Sequence, residues 1–342
     1  MEVSMETLVL GGYTRDTNKG ISTVVLDTEQ GKLHDVILQA EVNSPTYLEA
    51  IGDFVFTVVK EDDWAGIGLF EKEETGYRQI TTALTKDVNP PCYVSFDRQR
   101  QLVYSANYHQ GFFEITQLTD EGLEIVDSVQ HEGSSIHDNQ KSAHVHYVQM
   151  DRANECLLVC DLGTDEVYTY RILEDNTAQE VARYNSAKGF GPRHLVQHPS
   201  LPIIYIIGEL SNEIDICAYQ NGILTHIETV SLLPDTYTEW SGAAAIRISQ
   251  DGRFVYASNR GHNSIVVYKV LETGLLEVVE WVNTRGHIPR DFNFNRTQEF
   301  IIVGHQEDGV LALFKRDHQT GKLTYLDQKI APECVCVASI QS

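Results

Sequence analysis

The chain has 342 residues, and 42% of them are hydrophobic, which is an ordinary share for a globular protein. Its 26 lysines and arginines stand against 49 aspartates and glutamates, and the formal net charge of −23 argues against a nucleic-acid partner or an anionic membrane surface. No stretch is long and apolar enough to span a bilayer, so we expect no membrane-embedded segment.

A short apolar segment that ends in a small polar cluster recurs seven times, and we call it the marker strand. In chain order the marker strands are LVLGGYT at 8–14, FVFTVVK at 54–60, LVYSANY at 102–108, LLVCDLG at 157–163, IIYIIGEL at 203–210, FVYASNR at 254–260 and IIVGHQE at 301–307. Their first residues are 46 to 55 residues apart. A repeat near this length is typical of an array of small sheets.

Three further strand-like segments accompany each marker strand. The segment before it reads SPTYLEAI, PPCYVSF, SAHVHYVQM, GPRHLVQH, GAAAIRIS and IPRDFNF in successive units. An alternating run follows it, as in GISTVVLD and NSIVVYKV, and a weaker run often comes after a Gly or Asn turn, as in NGILTHIETV. The Val, Ile, Tyr and Phe content and the two-residue alternation predict strands, and few windows show helical spacing. We therefore predict an all-β fold.

Four antiparallel strands repeated seven times predict a seven-bladed β-propeller that spans 1–342 as a single domain. The two ends of the chain complement each other. The C-terminal APECVCVAS looks like a first strand without a marker strand after it, and the N-terminal ETLVLGGYT is a marker strand without a first strand before it. We expect the C-terminal strand to join the N-terminal blade and close the ring. An open repeat array is the weaker alternative.

Polar residues are expected to converge at one end of the central channel. In an antiparallel blade the end of the second strand lies beside the start of the first, and the first strand lines the channel. The first strands contribute Tyr47, Tyr93, His144, His146, Arg193, His194, Arg247, Arg290 and Asp291. The second strands contribute Tyr13, Lys60, Asn107, Tyr108, Asp161, Glu209, Asn259, Arg260, His305 and Gln306. Several arginines and histidines are thus expected at one end of the channel, although the chain is acidic overall. This arrangement predicts a binding site for a small anionic molecule.

These residues also have structural interpretations. His144 and His146 lie two apart in a strand and face the same side, and either could bind the backbone of a neighbouring blade. Arg193 could tie two blades together, and Glu209 could be its ion-pair partner rather than a catalyst. The histidine pair would need further ligands that the sequence does not mark, so we expect no metal.

Several segments together resemble the lactonase family of seven-bladed propellers. They are SAHVHYVQMD, GPRHLVQHP, YIIGELSN, AAIRISQDGRFVYASNRGHNSIVVY and IPRDFNF with IIVGHQEDGVLALF. The resemblance runs from GGYT to the last strand. That family includes a bacterial type of 6-phosphogluconolactonase and the fungal carboxy-muconate lactonizing enzyme. It implies a cytosolic enzyme that needs no cofactor and hydrolyses 6-phospho-D-glucono-1,5-lactone in the pentose phosphate pathway.

The resemblance also implies site residues. The positions proposed for the family's lactonizing member fall here on His144 or His146, Arg193, Glu209 and Arg260. The HxH pattern does not settle which histidine acts. This chain has GEL where relatives often have NEL, which leaves Glu209 itself in place.

Hydrolysis of a lactone requires a base that activates water and a group that stabilises the developing oxyanion. We expect His146 or Glu209 to be the base and Arg193 to polarise the carbonyl. We expect Arg247, Arg260 and Arg290 to hold the phosphate. Further substrate contacts are expected from His194 and Gln306.

Three alternatives stay open. A metal-assisted sugar lactonase would use oxygen ligands, which are expected from Glu209, Asn107, Asn259 and Asp161. A cycloisomerase for a carboxylated muconate would also need an arginine-rich pocket. A propeller that serves only as an interaction platform is the non-enzymatic alternative, although the GH…WD signature of common interaction propellers is missing.

The cysteines favour a cytoplasmic location. Most of the six lie within predicted strands, where a free thiol behaves as a small apolar group. The start MEVSMETLVL also lacks the basic and hydrophobic regions of a secretion signal. A reducing compartment is the simplest interpretation.

Overall fold

The computed structural model describes residues 4–341, and these form seven antiparallel sheets without any helix. The first fifteen strands are β1 (Met5–Gly12), β2 (Gly20–Asp27), β3 (Lys32–Leu33), β4 (Ile37–Glu41), β5 (Leu48–Ile51), β6 (Phe54–Glu61), β7 (Trp64–Glu73), β8 (Gly76–Lys86), β9 (Tyr93–Asp97), β10 (Leu102–Asn107), β11 (Phe112–Thr119), β12 (Gly122–Gln130), β13 (Val145–Met150), β14 (Leu157–Asp161) and β15 (Glu166–Ile172). The other fourteen are β16 (Ala178–Asn185), β17 (Pro192–Gln197), β18 (Ile203–Gly208), β19 (Glu213–Gln220), β20 (Ile223–Ser231), β21 (Gly242–Ile248), β22 (Phe254–Arg260), β23 (Ser264–Val270), β24 (Leu276–Asn283), β25 (Pro289–Phe294), β26 (Phe300–His305), β27 (Val310–Arg316), β28 (Leu323–Ile330) and β29 (Cys334–Ser339). Within this part of the chain, then, nothing resembles a membrane-spanning helix.

Each sheet is one blade, and the blades follow the order of the chain. Blades 2 to 7 are β5–β8, β9–β12, β13–β16, β17–β20, β21–β24 and β25–β28, with the first strand of each innermost. Blade 1 combines β29, β1 and β2, and both β3 and β4 pair with the outer side of β2. Neighbouring innermost strands contact one another around the whole circle, including β25 with β29 and β29 with β5. The prediction of a closed seven-bladed propeller is confirmed.

Closure depends on the C-terminal strand, as predicted. β29 pairs antiparallel with β1, from Leu8 opposite Ser339 to Gly11 opposite Cys336. The chain then reaches blade 2, where the Gln341 amide donates a hydrogen bond of 3.0 Å to the Ala50 carbonyl. The two ends of the chain therefore complete one blade and tie it to the next.

Apolar side chains fill the spaces between neighbouring blades. The second strands β10, β18, β22 and β26 are buried along their whole length because both faces of each blade are covered. The outermost strand β28 instead alternates between exposed and more buried positions. One cluster joins Tyr104 of blade 3, Val159 of blade 4 and Ile206 of blade 5, so burial links the blades into one ring.

Five of the seven innermost strands contain a β-bulge close to their first residue. At these points the pairing with the second strand shifts and leaves residues of the innermost strand without an opposite partner. The unpaired residues are Val335 in β29, His146 in β13, Arg193 in β17, Ala244 and Ala245 in β21, and Arg290 in β25. Because a bulge interrupts strand alternation, it can redirect a side chain toward the channel.

Candidate functional site

A cavity of about 560 Å³ opens where the innermost strands begin, and we call it the mouth cavity. Its volume lies within the usual range for small-ligand sites. Its charged lining consists of four cationic side chains and one carboxylate, which are Arg15, Lys60, Arg260, Arg290 and Glu209. In a chain with a formal net charge of −23, this is a local concentration of positive charge.

The β-bulges supply residues to the mouth cavity. His146 and Arg290, both bulge residues, line it directly. Arg193, the bulge residue of blade 5, lines a narrow annex of about 30 Å³ that shares Tyr13 and Arg290 with the mouth cavity. The sequence expectation that these three residues converge is met because three separate strands carry a bulge at the same level.

Glu209 joins two arginines. Its Oε2 lies 2.9 Å from Nε of Arg193 and 3.1 Å from Nη2 of Arg260. The contact with Arg193 is an ion pair without an aligned N–H···O hydrogen bond. The side chains of Arg193, Glu209 and Arg260 are 3%, 17% and 10% exposed, so Coulombic attraction between them is weakly screened by water.

The innermost strand of blade 6 fixes both guanidinium groups through consecutive carbonyls. Arg260 donates from Nε to the Gly242 carbonyl and from Nη2 to the Ala243 carbonyl, each at 3.0 Å. Arg193 donates from Nη1 to the next carbonyl, that of Ala244, at 2.7 Å. A side chain at Gly242 would crowd Arg260, because a Cβ there would lie 3.2 Å from its Nη2. Gly242, the first residue of GAAA, thus makes room for Arg260, a role that sequence reasoning missed.

The arginines keep Glu209 ionised. Burial alone would raise the pKa of this carboxyl group, but Arg260, Arg193, His146 and Arg290 together lower the pKa to about 2. Burial and the neighbouring Arg260 lower the pKa of Arg193 to about 10, with Glu209 opposing them. A carboxylate with so low a pKa is a poor proton acceptor at neutral pH, and it serves better as an anchor for the guanidinium groups.

His146 is held in its neutral form. Burial and then Arg193 hold the pKa of its imidazole well below the usual value of 6.5, with Arg290 adding to this and Glu209 opposing it. Its Nδ1 is buried and has no hydrogen-bond partner among residues 4–341. The ring packs edge-on against Tyr108, with centroids 5.7 Å apart, and faces the mouth cavity.

His144 also contacts Tyr108. Its ring stacks on the Tyr108 ring at a centroid distance of 4.3 Å, and its Nδ1 is 2.7 Å from the Tyr108 carbonyl. Its backbone N–H donates to Asp161. The mouth cavity is lined by His146 and not by His144. The geometry favours His146 as the reactive member of the HxH pair.

The structure separates Arg247 and His194 from most of the other predicted contacts. Both line an inner cavity of about 240 Å³ in the channel, and His194 also borders the annex. Arg247 pairs with Asp291 at 2.8 Å. Arg247 is the sixth residue of β21, opposite Tyr256 and beyond the bulge, whereas Arg290 is the second residue of β25. Arg247 therefore lies deeper in the channel than Arg290.

Gln306 contacts Arg290, which lines the mouth cavity. Its Oε1 accepts a hydrogen bond of 3.2 Å from Nη1 of Arg290. It can therefore orient this guanidinium group, whether or not it also contacts a ligand.

Arg15 is a cavity residue that the sequence analysis did not select. It lies immediately after the polar cluster of the first marker strand, in GGYTR. Its position directly after a marker strand, where the polar clusters meet at the end of the channel, could have identified it from the sequence. Lys60, which the analysis did select, also lines the mouth cavity.

The oxygen ligands considered for a metal do not assemble with Glu209. Asp161 accepts hydrogen bonds from the backbone of His144, Gly163 and Thr164. Asn107 and Asn259 likewise bond to turn and loop backbone. Across 4–341 no group of three or more His, Cys, Asp or Glu side chains has the arrangement of a metal site.

Comparison with known proteins places this geometry in a family. Residues 7–339 match the family described as "Lactonase, 7-bladed beta-propeller". The chain belongs to this family. The resemblance read from the sequence is therefore confirmed.

Individual proteins match this chain over nearly their whole length. A 6-phosphogluconolactonase from Bacillus subtilis is 36% identical over 337 residues, which cover 96% of each chain. A crystal structure of a protein from Lactobacillus plantarum is 38% identical and has a TM-score of 0.95, with 97% of this chain and 98% of that chain covered. The periplasmic gluconolactonase of Pseudomonas aeruginosa is 28% identical with a TM-score of 0.91, and 98% of both chains is covered.

Proposed function

We propose that this protein hydrolyses a sugar lactone, and that its substrate is 6-phospho-D-glucono-1,5-lactone. The observation that carries the proposal is the cationic mouth cavity, in which four positive side chains face one carboxylate within a strongly acidic protein. Such a cavity favours an anionic ligand over a neutral one. The relatives named as a 6-phosphogluconolactonase and a gluconolactonase support a lactone as the reacting group.

In the proposed mechanism His146 takes a proton from water while the water oxygen attacks the lactone carbonyl carbon. Arg260 and Arg193 stabilise the negative charge that develops on the carbonyl oxygen. The bond between this carbon and the ring oxygen then breaks, and the proton held by His146 passes to the departing ring oxygen. One water molecule is added, and the open-chain acid is released.

Glu209 has a positioning role in this mechanism. It remains ionised and holds Arg193 and Arg260 through a shared oxygen, at 2.9 and 3.1 Å. Preorganised donors need not rearrange as the charge develops, and removing one such donor commonly costs about 10²–10³ in rate.

The test is a turnover assay on freshly prepared 6-phosphogluconolactone and on unphosphorylated gluconolactone, each corrected for spontaneous opening. We expect kcat/KM for the phosphorylated lactone to be at least about tenfold higher, since one charge-assisted contact supplies that much preference. Opening of both lactones at the spontaneous rate would overturn the proposal.

A matched pair of variants ties the activity to the site. Arg193→Lys keeps the charge but cannot bridge Glu209 and the Ala244 carbonyl, so kcat should fall by about 10²–10³. Arg316→Lys is the control, because Arg316 is also buried but bonds Tyr256 and the Gln298 carbonyl in the outer part of blades 6 and 7. Its kcat should match that of the unaltered enzyme.

A further inference from the structure

The cations of the mouth cavity and its annex fall into two groups. On blades 5 and 6, Arg193 and Arg260 share the carboxylate of Glu209. On blades 7, 1 and 2, the three other cations have no carboxylate within 4 Å among residues 4–341, and these are Arg290, Arg15 and Lys60. We call the second group the unpaired cation wall.

Two members of this wall meet at one aromatic ring. The guanidinium carbon of Arg15 lies 3.7 Å from the centroid of the Tyr13 ring, and that of Arg290 lies 5.8 Å from the same centroid. Two guanidinium groups beside the same ring repel each other, and a shared anion would relieve that repulsion. Lys60 completes the wall from the end region of β6.

The loop that carries Arg15 is held through backbone hydrogen bonds and not through hydrogen bonds of the Arg15 side chain. The backbone N–H groups of Arg15 and Asp16 donate to the two carboxylate oxygens of Glu333, each at 3.0 Å. Thr14 is bonded to Asn43 of the facing loop at 3.1 Å. The Arg15 guanidinium makes no hydrogen bond within the described residues, although its loop is anchored at both sides. Such an arrangement is suited to a ligand that arrives from solution.

Neutral hydrogen-bonding groups lie beside the unpaired cation wall. Asn43, Ser44 and Thr46 also line the mouth cavity. A phosphate dianion has several strong acceptor oxygens, and it matches a set of cations with neighbouring hydroxyl and amide donors. A ligand with a single carboxylate would leave some of these cations and hydrogen-bond donors without a partner.

We propose that Arg15, Lys60 and Arg290 form the subsite for the phosphate group of a phosphorylated sugar lactone, an inference that rests on the proposed function. The reacting ester then lies toward His146 and Arg260, on the opposite side of the mouth cavity. This assignment replaces Arg247 and Arg260 as the phosphate contacts expected from the sequence, because Arg247 pairs with Asp291 and Arg260 pairs with Glu209.

The experiment compares the exposed residues Arg15 and Lys60, whose side chains can be removed with little effect on the core. Arg15→Ala and Lys60→Ala should each raise KM for 6-phosphogluconolactone by roughly 10- to 100-fold, as expected for a lost charge-assisted contact. The kcat should stay within about twofold of the original value, because the lost contact binds the substrate and the transition state equally and leaves the reacting groups in place. The KM for unphosphorylated gluconolactone should also stay within about twofold, because that lactone has no phosphate. Lys269→Ala, at an exposed position on β23, is the matched control and should change none of these values.

A second readout keeps this inference separate from the proposed function. Binding of inorganic phosphate, measured by isothermal titration calorimetry, should weaken in Arg15→Ala and Lys60→Ala but not in Lys269→Ala. An unchanged KM for the phosphorylated lactone in both cavity variants would overturn the subsite while leaving the lactonase proposal intact. If the original protein opened no lactone, the lactonase proposal would fail. The phosphate-binding measurement would then decide the subsite by itself, and equal phosphate affinity in the original protein and in both cavity variants would overturn it.

Discussion

His146 occupies the extra position of a β-bulge, and its surroundings control its protonation. Burial has the largest effect, Arg193 and Arg290 act in the same direction, and Glu209 opposes them, so the pKa lies well below 6.5 in the folded protein. The unfolded chain has the ordinary histidine pKa. At a pH between the folded-state pKa and the unfolded-state pKa, His146 is protonated in the unfolded chain and neutral in the folded protein. This residue therefore lowers the free energy of unfolding as the pH falls below about 6.5.

We predict that the His146 imidazole stays neutral as the pH is lowered from about 7.5 to about 5.5, across the ordinary histidine range. Imidazole ¹⁵N shifts, assigned by comparison with His146→Gln, measure this directly. Added inorganic phosphate should move the midpoint upward, because a bound anion favours the charged form. A midpoint near 6.5 without phosphate would contradict the electrostatic description and weaken the case for His146 as the base.

At the scale of single elements, the turn between β22 and β23 connects two site arginines. The Asn263 Oδ1 accepts the N–H of Gly261, next to Arg260, at 3.2 Å. It also accepts the N–H of Ile288 at 3.0 Å. Ile288 has a φ of 60°, which is unfavourable for a β-branched residue before proline, and it leads through that proline to Arg290. One amide thus holds the segments that carry both arginines.

We predict that Asn263→Gly lowers kcat/KM for the phosphorylated lactone by about tenfold, as for the loss of one well-placed contact. Glycine tolerates the φ of 52° at this position, so the change removes the acceptor without adding backbone strain. Asn263→Asp keeps the acceptor oxygen and should recover most of the activity. Steady-state kinetics on the three proteins, with thermal unfolding alongside, measure this. Equal activity in Asn263→Gly and the original protein would show that the bridge does not position the arginines.

At the scale of the whole molecule, both ends of the chain are needed to complete blade 1. The side chains of β29 are nearly all buried, and its pairing with β1 supplies the innermost strand of that blade. Past β29, Gln341 donates from Nε2 to Glu49 of blade 2 at 3.1 Å. Removing this strand would leave the inner edge of β1 unpaired and would expose the surfaces of blades 7 and 2 that β29 contacts.

We predict that deletion of 334–342 abolishes cooperative unfolding near the original Tm, because the lost burial exceeds the usual margin of about 5–15 kcal/mol. Gln341→Ala removes only the side-chain contact and should cost about 1 kcal/mol or less. Differential scanning calorimetry distinguishes the two. A truncated protein that unfolds cooperatively within a few degrees of the original would mean that the ring does not depend on its C-terminal strand.

The sequence by itself determined the blades and the closure of the ring, since strand alternation, turn residues and complementary ends such as APECVCVAS and ETLVLGGYT are properties of short segments. It also identified His146, Arg193, Glu209, Arg260 and Arg290 as candidates that the structure brings together. Only the tertiary structure decided which polar side chains share a cavity. Register depends on the partner strand. A one-residue register shift in β25 falls at Arg290, which lines the mouth cavity, while the same shift in β21 falls at Ala244 and Ala245, ahead of Arg247 in the inner cavity. The three carbonyls that hold Arg193 and Arg260 lie at this irregularity or just before it, and no residue type announces their arrangement in advance.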